Sequence, residues 1–223
     1  EWLQMDKVGH AFSNYQISRN LFNAYMNTGY DRNKASLYAS LTSISYMTGI
    51  EVLDGFSSQW GFSRGDFYAN LLGAGLFYFQ EKIWHEQKGQ MKFSYHNSPY
   101  AKYNPAQLGD NFQQRILKDY NAQTYWLSFS TKCFFRNDNA FSNIFLFSVG
   151  YGINGMISAK TNNLLVNNFH PHREFLFSFD ADLTQVKWKR RWMRKAANFL
   201  SIIKIPMPTL GVSEKGKLKF YPL

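Results

Sequence analysis

The first 89 residues carry the hydrophobic periodicity of α-helices. Apolar side chains recur at helical spacing from Met5 to Met26, and Gly29 supplies a stop signal after them. Further helices are predicted over about Lys34–Met47, which Gly49 should end or kink, and over about Arg64–Trp84. The pattern therefore predicts an N-terminal part made of three helices.

The third predicted helix begins with a capping signature. Ser63 precedes the helix, and Asp66 lies three residues later, where a capping box usually has Glu or Gln. The helix is apolar around most of its circumference, which is typical of a helix buried in a protein core or against lipid. We therefore expect most of its surface to be covered.

The chain beyond residue 90 alternates between apolar and polar positions with the period of β-strands. Phe175, Phe177 and Phe179 alternate with acidic and small side chains. This alternation fits a lipid-facing strand and any half-buried antiparallel strand, so the pattern leaves both open. Strands are predicted near Tyr125–Phe135, Ile144–Ile153, Glu174–Leu183 and Leu218–Tyr221.

Two helical segments interrupt the predicted strands. One lies near Asn111–Leu117, and the other is a basic amphipathic helix near Lys187–Lys204, which Pro206 and Pro208 should end. The fold class is therefore α+β, with a helical group over residues 1–89 and a mainly β part over residues 90–223. We expect the helices to pack with an antiparallel sheet that could close into an outer-membrane barrel. Because no linker-like stretch separates the two parts, one integrated domain is favoured.

The composition excludes several classes of protein. Aromatic residues and charged residues each make up 18% of the chain, whereas disordered chains have few aromatics and high charge. A single cysteine, Cys133, excludes a disulfide framework and a cysteine-based zinc site. The longest clean apolar run, Leu71–Phe79, is far shorter than the roughly 18 residues of a spanning helix. The net charge of +10 favours an anionic partner.

The first helix carries a candidate for acid–base chemistry. Asp6, His10 and Ser13 lie one turn apart on one stripe. A carboxylate one turn before a histidine can orient the ring, raise its pKa or share a metal with it. The same stripe is typical of the polar face of an ordinary helix, so both interpretations stay open.

Further carboxylates interrupt apolar segments of the helical part. Such carboxylates are costly unless they are paired, and Lys7, Arg64 and His10 are the expected partners. One interpretation is a buried polar cluster that fixes helix packing, formed by Asp6, Lys7, His10, Glu51, Asp54, Asp66 and Asn70. The other is an active or ion-binding site, with Asp6, His10, Glu51 and Asp66 as candidate catalytic residues. No cofactor and no metal are predicted, because no ligand spacing is diagnostic.

The segment before Pro206 combines positive charge with tryptophan. This combination is typical of an interfacial helix that binds lipid or lipopolysaccharide head groups. A nucleic-acid surface is the disfavoured alternative, because the chain has no recognised nucleic-acid motif, and a simple solvated face is a third interpretation. The predicted head-group residues are Lys187, Trp188, Arg190, Arg191, Trp192, Arg194 and Lys195.

Several motifs resemble a known family. They are Met5-Asp-Lys-Val-Gly-His10, Glu51-Val-Leu-Asp-Gly-Phe56, Trp60-Gly-Phe-Ser63 and Gly65-Asp-Phe-Tyr-Ala-Asn70. At these positions the chain resembles the YfiM-like family of predicted periplasmic lipoproteins of unknown function. It is most similar to the long Bacteroidota type, which shares motifs such as Gln123-Thr-Tyr-Trp-Leu-Ser128. The pattern Asp-Lys-x-x-His also gives the helical half a looser similarity to VanZ-like membrane proteins.

The resemblance implies a location and no established reaction. It implies the envelope of a Gram-negative bacterium, with a cleaved signal sequence upstream of Glu1. We therefore expect a non-enzymatic outer-membrane protein that serves as a subunit of an envelope complex, with other outer-membrane proteins as partners. The alternative is a lipid- or cell-wall-directed hydrolase or transferase that uses the histidine and carboxylates.

Overall fold

The fold is α+β, with helices in the N-terminal part and an antiparallel sheet in the C-terminal part, as predicted. A computed structural model describes residues 2–57, 61–131, 144–159 and 169–222. The chain divides into two compact units. The helical unit is Asp6–Lys88, and the sheet unit combines Gly89–Leu223 with Glu1–Met5. Cys133 and the end of the predicted strand at Phe135 lie outside the described residues.

Three long helices form the helical unit. They are α1 (Met5–Asn27), α2 (Arg32–Gly55) and α3 (Arg64–Trp84). The predicted cap of α3 is confirmed, because the Ser63 side chain accepts a hydrogen bond from the Asp66 backbone N–H at 3.2 Å. None of the helices in the described part of the chain is long and apolar enough to cross a membrane.

The predicted end of α2 at Gly49 is wrong. The helix continues without interruption to Gly55 and packs against α3. Glycine within a helix costs only about 1 kcal/mol relative to alanine. Tertiary packing against α3 offsets this cost, so a lone glycine is a weak stop signal.

Small residues bring two helices into close contact. A Cβ atom added at Gly73 on α3 would lie 2.0 Å from the backbone oxygen of Ala11 on α1. Only glycine allows this approach. The interior of the unit is otherwise rich in polar side chains, and those at most 2% exposed include Asn14, Ser18, Ser43, Glu51 and Asn70.

The outer surface of α3 is not buried in the protein core, and contact with lipid, the other possibility, stays a prediction. Tyr68, Leu72, Phe79 and Ile83 share one stripe and are each at least 60% exposed. The described residues therefore cover the apolar circumference of α3 only in part, and its inner face buries both the polar Asn70 and the apolar Phe77, which packs against Phe22.

Six antiparallel strands form the sheet in the order β1-β2-β3-β4-β5-β6. The sequence predicted β2, β3, β4 and β6, and it missed β1 and β5. The strands are β1 (Gly89–Tyr95), β2 (Gln123–Ser130), β3 (Phe145–Asn154), β4 (His172–Ala181), β5 (Thr209–Ser213) and β6 (Leu218–Tyr221).

The two faces of the sheet have opposite chemistry. One face is buried and polar, and a row of cross-strand neighbours on it runs Gln90, Ser128, Ser148, Ser178 and Thr209. The opposite face is apolar, and its central row runs Met91, Leu127, Val149, Phe177, Leu210 and Phe220. The sheet therefore buries a row of polar side chains, with Trp126, Leu146 and Leu176 on the same face, and turns the phenylalanines of β4 outward.

The basic helix is shorter than predicted. It spans only Arg191–Leu200 and is called α6 here. After it, the chain forms backbone hydrogen bonds along the outer edge of β1, from Phe93 N–H to Ile202 and from Lys204 N–H to Phe93, both at 2.9 Å. These bonds replace the last predicted helical turn and cover part of the β1 edge.

Two short helices and an apolar cluster complete the sheet unit. They are α4 (Pro105–Leu108) and α5 (Phe112–Lys118), and α5 agrees with the helical segment predicted near Asn111–Leu117. The buried apolar cluster of this unit contains Trp2, Met5, Ala101, Leu108, Ile153, Met156 and Ile157. The N-terminal residues thus pack with the sheet unit.

Candidate functional site

Each long helix contributes one side chain to a cluster of an imidazole and two carboxylates. His10 comes from α1, Glu51 from α2 and Asp66 from α3. One ligand-type atom from each residue lies within 4.8 Å of the other two. The arrangement brings together three of the four residues that the sequence suggested as catalytic.

Ion pairs connect the cluster to the start of α1. Lys7 Nζ lies 2.9 Å from Asp6 Oδ2 and 3.1 Å from Asp66 Oδ1. A Cβ atom at Gly65 would lie 2.6 Å from Lys7 Cε, so the glycine leaves room for this lysine. Lys7 therefore links Asp6 to the cluster.

His10 and Glu51 form the closest contact between a ring nitrogen and a carboxylate in the cluster. His10 Nδ1 lies 3.2 Å from Glu51 Oε1. This distance suits an ion pair, yet the angles do not make a hydrogen bond, and both atoms lack one within the described structure. The imidazole is therefore near enough to the carboxylate for an ion pair, and a small rotation of either side chain would be needed to form a hydrogen bond.

The buried environment changes the protonation of Glu51. Burial raises the pKa of this carboxyl, and the negative charges of Asp66 and Asp54 add to the increase. His10 and the Ser63 backbone hydrogen bond act in the opposite direction without cancelling the increase. Glu51 thus holds a proton more readily than an ordinary glutamate.

The cluster is partly open to solvent. The side chain of Glu51 is 2% exposed, whereas His10 keeps 24% of its surface and Lys7 keeps 34%. Such a site can bind a small ion, or it can use the imidazole in proton transfer. The two carboxylates and the imidazole are also the side chains here that could hold a metal ion.

Two asparagines extend the polar stripe by one helical turn. Asn70 follows Asp66 on α3, and Asn14 follows His10 on α1. Both side chains are fully buried, and neither amide has a hydrogen-bond partner among the described residues. The sequence pointed to Asn70 but missed Asn14, although its spacing of four from His10 was a usable signal.

Two other expected members lie outside the close cluster. Asp54 contributes no atom to the group within 4.8 Å and acts on Glu51 only through its charge. Arg64 was expected to pair with the carboxylates, and within the described parts of the chain it forms no such ion pair. Lys7 takes that role instead.

The predicted head-group residues divide between α6 and the segment before it. Arg191, Trp192, Arg194 and Lys195 lie on α6 and are exposed, with Trp192 63% exposed. Lys187, Trp188 and Arg190 precede the helix, and the Trp188 indole donates a hydrogen bond to the Leu183 carbonyl at 2.8 Å. Among the described residues, no acid pairs with these cations.

Lys204, at the end of the predicted basic helix, is buried and does not belong to the exposed basic surface of α6. Lys204 is 4% exposed, and its ammonium lies 4.6 Å from the centroid of the Trp126 ring. Burial lowers its pKa. Lys204 therefore belongs to the polar face of the sheet and not to the basic surface.

The buried face of the sheet holds an ion pair that the sequence did not predict. Lys92 Nζ lies 2.7 Å from Asp180 Oδ2, and both side chains are 0% exposed. Asp180 also accepts hydrogen bonds from Ser128 and from the backbone of Ile205, and Gln90 donates to Asp182 at 2.7 Å. The signal was the alternation of Gln90, Lys92 and Ser94 with apolar residues in β1.

Comparison with known proteins gives a family match over the first part of the chain. Residues 2–82 match a family described as "Predicted periplasmic lipoprotein (DUF2279)". No curated protein and no solved structure matches the chain significantly. The matched region contains the whole His10–Glu51–Asp66 cluster, and the match supports a periplasmic, envelope-associated location while assigning no function. In its first 82 residues the chain is similar to a family of predicted periplasmic lipoproteins.

Proposed function

We propose that this protein is a non-enzymatic outer-membrane protein that binds lipid and serves as a subunit of an envelope complex. The apolar face of the sheet would lie against lipid hydrocarbon. The basic helix α6 would bind phosphate-bearing head groups.

The observation that carries this proposal is the orientation of the sheet. On β4, Phe175, Phe177 and Phe179 are 43%, 38% and 59% exposed, while the alternating Ser178 and Asp180 are buried. A half-buried sheet in water shows the opposite arrangement. An exposed apolar surface of this kind marks a binding site. Lipid hydrocarbon can cover it, because neither the side chains nor the lipid chains need hydrogen bonds there.

The apolar surface continues onto the neighbouring strands. Leu210 pairs with Phe177 on one side and with Phe220 on the other. Leu210 is 45% exposed, and Leu218 and Phe220 are each more than 65% exposed. The exposed patch therefore covers three adjacent strands, which is wide enough to bind a lipid surface.

Helix α6 carries the positive charge that anionic lipid head groups would bind. It presents exposed cations together with Trp192 and with Phe199, which is 70% exposed. Cations bind lipid phosphates, and an indole ring is favoured at the level of the head groups. The family match to predicted periplasmic lipoproteins supports a lipid surface in the envelope, and the motif resemblance to the long Bacteroidota type implies that this surface is the outer membrane.

Vesicle binding tests the lipid interaction. Purified full-length protein is mixed with phosphatidylethanolamine–phosphatidylglycerol vesicles and sedimented. The triple variant Phe177→Ser/Phe179→Ser/Phe220→Ser should bind roughly 100-fold more weakly, because three exposed rings that each contribute on the order of 1 kcal/mol on burial give about 3 kcal/mol in total. Phe56→Ser is the matched control, since Phe56 is 86% exposed but lies in the helical unit.

Charge variants measure how much the binding of head groups contributes to vesicle binding, separately from the apolar face of the sheet. Arg191→Ser/Arg194→Ser/Lys195→Ser should weaken binding to anionic vesicles and leave binding to phosphatidylcholine unchanged. Release of the native protein from cell envelopes by carbonate without detergent would contradict the lipid proposal. So would equal vesicle binding by the wild type and the triple aromatic variant.

Partner capture tests the subunit role. Native protein extracted in mild detergent should carry other outer-membrane proteins in fixed stoichiometry, measured by mass spectrometry. Recovery of the protein alone would contradict the complex and leave the lipid test unaffected.

The close approach of His10 and Glu51 favours a second candidate function. In a lipid- or cell-wall-directed hydrolase or transferase, His10 would act as the general base, with Glu51 at 3.2 Å as its orienting carboxylate. Labelled phospholipid and peptidoglycan should then be cleaved by the wild type and not by His10→Ala. Absence of turnover on both substrates would exclude this candidate for them.

A further inference from the structure

The helical interior contains polar atoms that the described chain leaves unsatisfied. Among the described residues, Glu51 Oε1, His10 Nδ1 and Asp6 Oδ1 are buried and have no hydrogen-bond partner, although His10 Nδ1 and Glu51 Oε1 lie 3.2 Å apart. A buried polar atom without a partner costs about 1–3 kcal/mol, and a charged one costs more. Such a group of atoms in one place indicates a partner that is not a protein side chain.

We propose that His10, Glu51 and Asp66 bind a divalent transition-metal cation, such as Zn²⁺ or Mn²⁺. One imidazole nitrogen and two carboxylate oxygens form a mixed ligand set that suits these ions better than the all-oxygen set preferred by Ca²⁺ or Mg²⁺. Ligand atoms about 2.0–2.2 Å from one ion lie roughly 3–4 Å apart. The three atoms here lie within 4.8 Å, so small side-chain rotations are sufficient.

The local charge favours a dication. Asp6, Glu51 and Asp66 carry three carboxylates, and Lys7 is the cation that pairs with two of them. With His10 neutral and all three carboxyl groups ionised, as metal ligands must be, the group has an excess of two negative charges. One divalent cation balances this excess.

The two buried asparagines supply an observation that does not depend on the acids. Asn14 and Asn70 are each 0% exposed and have no partner for either amide atom within the described structure. Helical side chains lean toward the N-terminus of their helix, so Asn70 leans toward Asp66 and Asn14 toward His10. Both amides are placed to hydrogen-bond a ligand carboxylate or a water molecule on the metal.

Metal titration of the full-length protein tests the proposal. The protein is treated with chelator, and Zn²⁺ or Mn²⁺ alone is then titrated in a calorimeter, without vesicles. We expect one ion per chain and a melting temperature that rises with metal concentration. Glu51→Gln and Asp66→Asn, which preserve side-chain shape, should weaken binding more than about 100-fold, since even outer partners of metal ligands contribute 10–100-fold.

Two control variants make the result specific. Glu81→Gln changes another buried glutamate of the helical unit, which is already paired with Arg32 at 2.7 Å. His172→Phe removes an imidazole that lies 3.2 Å from Glu174 in the sheet unit. Both controls should bind metal as the wild type does, while His10→Phe should not.

The outcomes are distinct. Loss of binding in the three ligand variants, with retention in the controls and unchanged circular dichroism, supports the site. Absence of saturable binding by folded wild type overturns the proposal, as does equal binding by wild type and Glu51→Gln. None of these results depends on the lipid test, so the two proposals can fail separately.

Discussion

The helical unit and the sheet unit both bury polar groups and expose apolar ones. They differ in how many partners their buried polar side chains have. In the sheet unit, Lys92 and Asp180 form a fully buried ion pair and serine hydroxyls join its network, although Gln90 Oε1 and Asp119 Oδ2 lack a hydrogen-bond partner among the described residues. In the helical unit, Asn14 and Asn70 are equally buried and have no partners among the described residues. Buried polar groups that have hydrogen-bond partners stabilise a fold, whereas buried polar groups without partners indicate a place for a ligand.

Two buried glutamates show the same difference. Glu174 of the sheet is 8% exposed and accepts hydrogen bonds from Lys219, Tyr221 and His172. Burial alone would raise its pKa, but these donors hold the pKa below the ordinary value. Glu51 of the helices lacks such donors on Oε1, and its pKa is raised.

The largest expected effect on stability comes from removing one partner of the buried Lys92–Asp180 ion pair. Lys92→Met leaves Asp180 charged and buried without its ammonium partner. We expect the free energy of unfolding to fall by about 3–5 kcal/mol, because an uncompensated buried charge is strongly destabilising. Urea unfolding of the full-length protein in detergent, followed by tryptophan fluorescence, measures the loss.

A double variant identifies the cause of this loss. Lys92→Met/Asp180→Leu removes both charges and should recover part of the stability, since apolar pairs often replace buried ion pairs at little cost. If the double variant instead has a lower free energy of unfolding than Lys92→Met, so that the two losses add, the explanation by pairing is contradicted.

The second prediction compares one polar residue from each interior. Ser128 of the sheet shares hydrogen bonds with Ser148 at 2.7 Å and with Asp180 at 3.2 Å. Ser128→Ala should therefore cost about 1–2 kcal/mol. Asn14→Ala in metal-free protein should change stability by less than about 0.5 kcal/mol, because removing an unpartnered amide offsets the lost packing.

Thermal and urea unfolding of both variants check this prediction. A loss at Asn14→Ala equal to that at Ser128→Ala would mean that the Asn14 amide is satisfied in the metal-free protein. The comparison between the two interiors would then fail at this position.

Local signals in the sequence predicted most of the fold. Ser63 and Asp66 fixed the start of α3, because a capping box needs only neighbouring residues. The period of two around Phe177 predicted β4 and the chemistry of its two faces. Errors arose where distant contacts decide the structure. Packing against α3 carries α2 past Gly49, and bonding to β1 shortens α6.

The candidate site was only partly predictable for the same reason. The spacing of Asp6 and His10 places both on one helix face, but it does not say which residue of another helix they meet. The contact with Glu51 depends on how α1, α2 and α3 pack. The pair of Lys92 and Asp180 depends on the strand order, which period-two alternation does not encode.

The smallest expected effect concerns pH. Because the pKa of Glu174 is lower in the folded protein than in the unfolded chain, its contribution to stability is present above the ordinary glutamate pKa of 4.5 and is lost as the pH falls through the folded value. Glu174→Gln keeps part of the hydrogen bonding and removes the titration. It should cost about 1 kcal/mol near neutral pH and little in acid, so its unfolding free energy should depend less on pH than that of the wild type. Urea unfolding from about pH 7 down to about pH 3 measures the two slopes. Parallel slopes would show that Lys219 and Tyr221 do not stabilise the charged form of Glu174, and the distinction between the two glutamates would be lost.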